Sequence, residues 1–402
     1  MKQCLTLVFC LFVLRAAAKD VTIIIHNTDS TLRHELVEVD ADAVYKTMQV
    51  EKGTPLCIYN SARQEMVYQL THDGLLLLDV TARPGTDVTY MVSVGKPMEM
   101  KPSVYGGLYK IRKDDIAWEN DRGAYRVYGP ALQRTGEKSY GTDIWVKNTP
   151  ELVIDQRYKM DDEGNRQESR LYREGRRHEA DSIDRATSFH LDHGNGLDAY
   201  AVGATLGCGA PALMQDGRLV YPYCYKDYEI LDNGPLRFTV KLDYNPSAVG
   251  TDQDVVEHRI ISLDKGSNFC RLTAWYTNMK HAHDFASGVV VHGQKEYVVL
   301  GKDFVAYTDP TDDPKKNNSE IYVACLFPEG MVKATLQHAD KQQGINADHA
   351  LGIYSNLKDS ERITYYFGSA WSQYDVRSSK EWLDRIASFM HALKVKMDVE
   401  VK

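Results

Sequence analysis

Short segments rich in Val, Ile, Tyr and Thr recur through most of the chain, separated by turn-forming residues. Asp-Gly and Asn-Gly pairs, which suit tight hairpin turns, stand at positions 73–74, 216–217 and 233–234. Such punctuation is typical of an all-β sandwich or barrel, whereas βαβ units would place long helical patterns between the strands. The pattern predicts strands at residues 21–25, 66–70, 75–80, 88–94, 237–244, 269–276, 289–291 and 363–367.

One segment has a helical period instead. Residues 379–393 (SKEWLDRIASFMHAL) begin with Ser379 as the predicted N-terminal cap. Their apolar side chains fall on one face: Trp382, Ile386, Phe389, Met390 and Leu393. We therefore predict one C-terminal helix that packs on a β-rich core.

Gly and Pro cluster around residues 95–105, which indicates a boundary between two domains. We predict a small N-terminal β-module at residues 19–100 and a larger β-domain at residues 101–402. Residues 159–185 carry many charges of both signs. This favours a solvated excursion or a short surface helix, and the alternative is a lid whose arginines bind an acidic substrate.

The first eighteen residues have the features of a secretory signal peptide. Lys2 precedes an apolar run at residues 4–14, and Ala16, Ala17 and Ala18 then fit an A-x-A cleavage site. The apolar run is too short to span a bilayer, and no second long apolar segment follows. Cys4 and Cys10 lie too early to carry a lipid anchor. We expect cleavage after residue 18, a periplasmic or secreted destination, and no membrane insertion.

Charge and composition narrow the class further. The 402 residues carry 48 Lys and Arg against 56 Asp and Glu, and a net charge of −8 argues against nucleic acid as a partner. The 25 Tyr outnumber 10 Phe and 5 Trp, and a tyrosine offers a sugar both an apolar face and a hydroxyl. Five cysteines follow the predicted cleavage site: Cys57, Cys208, Cys224, Cys270 and Cys325. They lack CxxC spacing, which favours buried free thiols, and one disulfide bond remains the alternative.

The densest group of chemically active side chains lies in residues 189–200, FHLDHGNGLDAY. Two glycines relax the backbone there, so polar side chains can converge on one place. Histidine can act as a general acid or base near neutral pH, and aspartate can orient its ring. The candidates in this loop are His190, Asp192, His193, Asp198 and Tyr200, with a hydrogen-bonded turn as the structural alternative.

A second group lies in residues 114–130, DDIAWENDRGAYRVYGP. Tryptophan can stack on a pyranose ring, and arginine can bind a carboxylate through two parallel hydrogen bonds. The predicted substrate contacts here are Trp118, Glu119, Asn120 and Arg122, with an edge strand holding a salt bridge as the alternative. Residues 221–228 (YPYCYKDY) form an aromatic cluster that either lines a groove or packs internally.

A third group is HAHDFASGVVVH at residues 281–292. His281 and His283 have a spacing that suits a metal ion on a strand, but no fixed third ligand accompanies them. A divalent metal is therefore possible and no cofactor is required. No P-loop, GxGxxG, HExxH or GxSxG motif occurs in a suitable context, so carbohydrate chemistry is the class that remains.

Six phrases, in chain order, resemble the DUF4861 family of exported bacterial proteins: DDIAWENDRGAYRVYGPA, GTDIWVKN, FHLDHGNGLDAYAVGATLGCGAPAL, LDNGPLRFTVKLDY, ISLDKGSNFCRL and ITYYFGSAW. The resemblance implies a β-supersandwich similar to galactose mutarotase and to the β-domains of several polysaccharide lyases. Family members look like products of polysaccharide-utilisation loci of Bacteroidetes. The resemblance therefore also implies a role on uronic-acid-containing glycans.

Two enzymatic hypotheses follow. In a polysaccharide lyase, Arg122 or Arg237 binds the uronate carboxylate, His193 or His190 removes the C5 proton, and Tyr225 or Tyr200 protonates the leaving oxygen. Asp192 or Asp198 orients the imidazole. In a glycoside hydrolase, Glu119 or Asp121 is the acid and Asp198 the second carboxyl group.

A non-catalytic alternative is a glycan-binding or mutarotase-like protein. Trp118, Trp371 and the tyrosines would stack on the sugar, and the histidines, His292 among them, would only donate hydrogen bonds. The enzyme is the favoured hypothesis, with a poly- or oligosaccharide as the substrate.

Overall fold

The computed structural model of the protein describes residues 19–310, 318–339, 341 and 347–402. The predicted signal peptide, residues 1–18, lies outside the described residues. Two compact units make up the chain: one comprises the residues up to Glu99 together with Met397–Lys402, and the other comprises Met100–Lys396.

Between residues 19 and 99, the described part of the smaller unit contains six strands and one helix. The strands β1, β6 and β3 form one antiparallel sheet, and β2, β5 and β4 form another. In β1, alternate residues are buried, as expected for a strand with one face on a core. The elements are β1 (Val21–His26), β2 (Arg33–Asp40), α1 (Ala41–Met48), β3 (Leu56–Asn60), β4 (Tyr68–Leu70), β5 (Leu75–Ala82) and β6 (Asp87–Val94).

The larger unit opens with strands that form a four-stranded sheet, in the order β10-β9-β8-β7. These are β7 (Tyr105–Tyr109), β8 (Asp115–Glu119), β9 (Gly123–Val127) and β10 (Thr142–Val146), with a short helix, α2 (Pro130–Gln133), before β10.

Two larger antiparallel sheets follow, one in the order β12-β11-β18-β23-β22, and one of nine strands in the order β13-β14-β16-β17-β24-β21-β20-β19 with β15 beside β16. Their strands are β11 (Cys208–Gln215), β12 (Arg218–Val220), β13 (Tyr225–Asn233), β14 (Arg237–Tyr244), β15 (Ser247–Val249), β16 (Asp252–Asp264), β17 (Phe269–Thr277), β18 (His283–Val291), β19 (Val298–Leu300), β20 (Phe304–Asp309), β21 (Ile321–Leu326), β22 (Lys333–Gln337), β23 (Asp348–Leu357) and β24 (Ile363–Trp371).

The two large sheets pack face to face around a shared apolar core. Phe285 of the five-stranded sheet meets Tyr276 and Tyr365 of the nine-stranded sheet in edge-to-face contacts, with ring centroids 6.4 and 5.8 Å apart. The predicted all-β supersandwich class is confirmed. Seven of the eight predicted strand segments lie inside observed strands, and the eighth, residues 66–70, overlaps β4.

The predicted C-terminal helix is present as α5 (Ser379–Lys394). Its cap is Ser378, one residue before the predicted one, and the Ser378 hydroxyl accepts a hydrogen bond from the Glu381 amide. The buried side chains Trp382, Ile386 and Met390 pack on the outer face of the nine-stranded sheet. The helical period therefore identified the buried face correctly.

The charged segment forms two further helices, α3 (Ile154–Arg173) and α4 (Arg177–Thr187), which the sequence pattern did not predict at this length. The two helices lie so close that a Cβ added at Gly164 would be 1.9 Å from Thr187 Oγ1. Apart from a narrow buried stripe that includes Tyr158 and Leu171, α3 is polar, and this hides its apolar period.

The last strand, β25 (Asp398–Val401), pairs with β1 and belongs to the smaller unit. The sequence placed these residues in the larger domain, because no local signal reports which strand a C-terminal segment will join. All five cysteines that follow residue 18 are buried free thiols, as predicted. Within the described residues, no helix has the length and apolar character needed to cross a membrane.

Candidate functional site

A polar cavity of about 340 Å³ opens in the larger unit, between β8, β9 and the segment that follows residue 189. Its basic side chains are Arg112, Lys113, Arg126 and Lys138, and its acidic ones are Asp115, Glu137 and Asp198. His190, Tyr128, Tyr200 and Ser139 complete the polar lining. Convergent titratable groups in a concave site are the usual mark of a functional site.

Arg126 lies at the centre of a buried ion-pair network. It stands opposite Asp143 in the pairing of β9 with β10, and its Nε and Nη2 lie 2.7 and 2.6 Å from Asp143 Oδ2. Nη2 also donates to Asp198 Oδ2 at 2.9 Å, while Nη1 lies 3.6 Å from Asp115 Oδ2. Nη1 is buried without a hydrogen-bond partner, although its residue lines the cavity.

Burial changes the titration of two carboxyl groups in this network. It raises the pKa of Asp115 from 3.8 to about 6, against the opposing charges of Arg126 and Arg112. It raises the pKa of Asp143 to about 7, and the nearby Asp198 carboxylate adds to this effect. Asp115 lines the cavity, so it can exchange a proton with a bound ligand near neutral pH.

The loop at residues 189–198 is held by hydrogen bonds from within and from α3. Asp192 Oδ1 accepts from the amides of Gly194 and Gly196, each at 2.9 Å. The buried Arg157 of α3 donates from Nη2 to the carbonyl oxygens of residues 189, 191 and 196, at 3.1, 2.9 and 2.6 Å. Gly196 has φ of +97°, and a Cβ there would be 2.0 Å from the Val146 carbonyl oxygen. Asp192 therefore folds the loop and does not reach the cavity.

One hydrogen bond of His190 determines which of its ring nitrogens carries the proton. Nδ1 lies 2.9 Å from the carbonyl oxygen of Asp198, which can only accept. In the neutral ring, Nδ1 therefore carries the hydrogen and Nε2 has the lone pair. Because His190 lines the cavity and its side chain is 55% exposed, Nε2 is positioned as a base that a ligand can reach.

Tyr200 lines the cavity, and its hydroxyl donates to the Gly207 carbonyl oxygen at 3.2 Å. Burial raises its pKa well above the usual value of 10.0, so the phenol stays protonated. His292 meets the Tyr200 ring edge to face at 5.5 Å and hydrogen-bonds the Asp309 carboxylate through Nδ1. His292 is thus a neighbour of the cavity lining and not part of it.

Two candidates for proton transfer lie elsewhere. His193 is exposed, with Nε2 2.9 Å from the Ser188 carbonyl oxygen, and it does not line the cavity. Tyr225 is buried and donates its hydroxyl proton to the carbonyl oxygen of Asp114. Of each predicted pair, the structure brings His190 and Tyr200 into the cavity.

Trp118, Glu119 and Asn120 are structural, which corrects their prediction as substrate contacts. Trp118 is fully buried and stacks against Tyr125 and Phe238. Glu119 is bonded to Lys147 Nζ at 2.6 Å and to the two amides at the start of α3, each at 2.7 Å. Asn120 bonds four backbone groups of neighbouring turns. None of the three side chains can face a sugar.

The other predicted contacts outside the cavity are also engaged in the fold. Arg122 Nη1 donates to Asp375 at 2.9 Å, and the buried Arg237 forms two hydrogen bonds to Asp264 at 2.6 and 2.8 Å. Trp371 is buried, and its Nε1 donates to the Asn318 carbonyl oxygen at 2.7 Å. Trp371 therefore offers no face for stacking.

His281 and His283 both bind the buried carboxylate of Asp252. His281 Nδ1 lies 2.9 Å from one carboxylate oxygen and His283 Nε2 lies 3.1 Å from the other. The same carboxylate accepts from the amides of Lys280 and His281. No group of three or more His, Cys, Asp or Glu side chains suited to a metal ion occurs within the described ranges.

A family model described as a domain of unknown function, DUF4861, matches residues 24–399. The chain belongs to this family. The DUF4861 chain is also 25% identical over 344 residues to the "Uncharacterized protein P7" of Formosa agariphila, a match that covers 82% of this chain and 78% of that protein.

Two solved structures resemble the DUF4861 chain more distantly. An α-mannosidase from Enterococcus faecalis V583 aligns over 95% of this chain and 46% of its own, with 9% identity and a TM-score of 0.46. YidC from Thermotoga maritima aligns over 73% of this chain and 58% of its own, with 10% identity and a TM-score of 0.34. The DUF4861 chain thus spans about half the length of these chains, and a likeness this distant carries no inference about activity.

The sequence assigned no role to Asp115, Arg126 or Asp143, nor to Arg112, although the first three lie in phrases that identify the DUF4861 family. The available signal was a charged residue beside apolar neighbours, as with Arg126 between Tyr125 and Val127 and Asp143 before Ile144. A charge at a buried strand position requires a partner of opposite charge. The strand register places Arg126 opposite Asp143, and the fold brings the Asp115 carboxylate to within 3.6 Å of the same guanidinium.

Proposed function

We propose that the protein is an exported carbohydrate-active enzyme whose cavity holds an acidic sugar residue of a uronic-acid-containing glycan and cleaves the glycan by β-elimination. The observation that carries the proposal is the position of His190 Nε2, a proton acceptor at a cavity with three basic side chains that form no ion pair with any described residue. These are Arg112, Lys113 and Lys138. Glu137 is an exposed acidic side chain of the lining, and the charge of the buried Asp115 also interacts with that of Arg112.

The reaction requires groups that this cavity contains. A cation beside the uronate carboxylate stabilises the negative charge that develops when the C5 proton leaves. His190 Nε2 takes the C5 proton, and the electron pair of the C5–H bond forms a C4–C5 double bond. The C4–O bond breaks, and its electron pair leaves with the oxygen. A phenol, assigned here to Tyr200, leaves its hydrogen bond to the Gly207 carbonyl oxygen and gives its proton to the leaving oxygen. No water is consumed.

A glycoside hydrolase is the second candidate, because Asp115 lines the cavity with its pKa raised to about 6. A carboxyl group that is still partly protonated near neutral pH is the usual general acid of such enzymes, and Asp198 would be the second carboxyl group. Both groups belong to the Arg126 network, which ties their charge states together.

The test is to incubate the purified protein with galacturonan, glucuronan, alginate and glucuronoxylan. Products are followed by mass spectrometry and by absorbance at about 235 nm, where an unsaturated uronate absorbs. Absorbance gain with no gain of water establishes the lyase. Products that each gain one water without absorbance establish the hydrolase. If all four polymers stay unaltered, both enzymatic hypotheses fail for these substrates, and the hypothesis of a non-catalytic glycan-binding protein remains.

Replacing Arg112 with methionine is expected to weaken binding of the acidic glycan roughly 10- to 100-fold, because a charge-assisted hydrogen bond contributes about 1.5–3 kcal/mol. The Arg112 guanidinium packs 4.6 Å from the Phe189 ring centroid, and methionine preserves much of that packing. Calorimetric titration measures the effect. Arg170→Met on α3, an exposed arginine outside the cavity, is the control. If Arg112→Met and Arg170→Met bind the glycan with equal affinity, Arg112 does not contact the glycan.

Export is part of the proposal, with cleavage after Ala18. The full-length gene expressed in a Gram-negative host should yield a periplasmic or secreted chain whose N-terminal sequence begins at Lys19. A chain that retains Met1 and stays in the cytosol would contradict this.

A further inference from the structure

The cavity is small for a polymer. Its volume of about 340 Å³ lies near the bottom of the range of roughly 300–1,000 Å³ for small-molecule pockets, so it suits one sugar residue and little more. A bound glycan must therefore continue over the surface beside it. The chain leaves the cavity lining at Ser139, and the next residue, Tyr140, starts a group of tyrosines.

This group, the tyrosine cluster, consists of Tyr140, Tyr221 and Tyr223. The Tyr140 and Tyr221 rings have centroids 5.6 Å apart and planes inclined by 30°. Tyr223 is 49% exposed, and Tyr140 is partly exposed. Tyr223 follows Tyr221 by two residues along the chain. The cluster thus combines ring surface with hydroxyl groups at an accessible position.

Core packing does not explain all of the cluster. Tyr221 packs against a small apolar group on the outer side of the five-stranded sheet. Tyr140 and Tyr223 do not belong to this group or to the main core of the larger unit, and within the described residues their hydroxyls form no hydrogen bond. A sugar can use both features, since its C–H face packs on a ring and its hydroxyls bond a phenol.

We propose that the tyrosine cluster is a second sugar subsite, which binds the pyranose next to the acidic residue in the cavity. This rests on the proposed function, because the same glycan chain occupies both places. Lys138 lines the cavity and lies two residues before Tyr140 in the sequence. Its charge suits a glycan that carries further acidic residues.

The test compares glycan lengths. Size-fractionated oligomers of galacturonan, glucuronan, alginate and glucuronoxylan, from one to six residues, are titrated into the full chain by calorimetry. We expect oligomers of two or more residues to bind more tightly than the single sugar. Tyr140→Ala and Tyr223→Ala should each weaken binding of the longer oligomers roughly 3- to 10-fold and leave the single sugar unchanged. Tyr140→Phe, which keeps the ring, should retain most of the affinity.

Tyr172→Ala, at an exposed tyrosine of α3, is the matched control and should change nothing. Circular dichroism shows whether each variant is folded. Affinity that is independent of length, or a length dependence that survives both alanine variants, overturns the subsite but leaves the cavity proposal intact. Failure of all oligomers to bind overturns the cavity proposal, and the subsite with it.

Discussion

Replacing Arg126 with methionine is expected to lower the free energy of unfolding at pH 7.5 by about 3–5 kcal/mol, the usual cost of removing one partner from a buried ion pair. Arg126 is 5% exposed at its side chain and contacts the carboxylates of Asp143, Asp198 and Asp115. Without the guanidinium, these carboxylates remain buried close together, and they repel each other. Urea unfolding followed by circular dichroism measures the loss.

The loss should depend on pH in a defined direction. The pKa values of Asp115 and Asp143 in the folded protein, about 6 and about 7, lie above the ordinary 3.8. Groups with raised pKa values stabilise the fold while protonated; this contribution is fully present below pH 3.8 and is lost progressively as the pH rises from there through 6 to 7. Removing Arg126 raises both pKa values further, so the variant should lose much less stability at pH 5 than at pH 7.5.

Two companion variants make this result interpretable. Arg134→Met removes an exposed arginine near the cavity and should change the free energy of unfolding by less than about 0.5 kcal/mol. Adding Asp143→Asn to Arg126→Met removes one buried charge and should restore part of the loss at pH 7.5. A double variant no more stable than Arg126→Met would show that charge repulsion is not the cause.

The fold was predictable where hydrophobic period and turn residues agree. The alternation in β1 and the helical period of α5 each report one buried face, and that face is a local property of the sequence. The helix α3 could not be found in this way, because it buries a narrow stripe and includes charged residues such as Arg157 in it. Its burial depends on contacts with the loop at residues 189–196.

The candidate site was predictable only in part. The density of His, Asp and Gly at residues 189–200 identified the loop that brings His190, Asp198 and Tyr200 to the cavity. Trp118 was mistaken for a sugar platform because every residue of β8 is buried, so burial does not alternate there as it does in a half-exposed strand. Composition alone does not distinguish a tryptophan that stacks on a ligand from one that fills a core.

Replacing His190 with alanine is expected to lower kcat roughly 10²- to 10⁴-fold on the substrate that the panel identifies, the range for loss of a general base. Affinity for that substrate should change little, because the cations and not His190 are assigned to the carboxylate. His190→Gln tests the same point without leaving the space that alanine would leave. The glutamine amide can still donate to the Asp198 carbonyl oxygen but cannot accept a proton as a base.

His193→Ala is the matched control for both variants. It removes a histidine of the same loop that is exposed and does not line the cavity, so kcat should stay within about twofold of the parent. Thermal unfolding should be similar for all three variants, because none of these side chains is buried. If His193→Ala loses turnover and His190→Ala keeps it, the base is His193, and the loop at residues 189–198 must rearrange when the substrate binds. If both keep it, proton abstraction belongs to another group of the cavity, and Asp115, with its raised pKa, becomes the residue to replace.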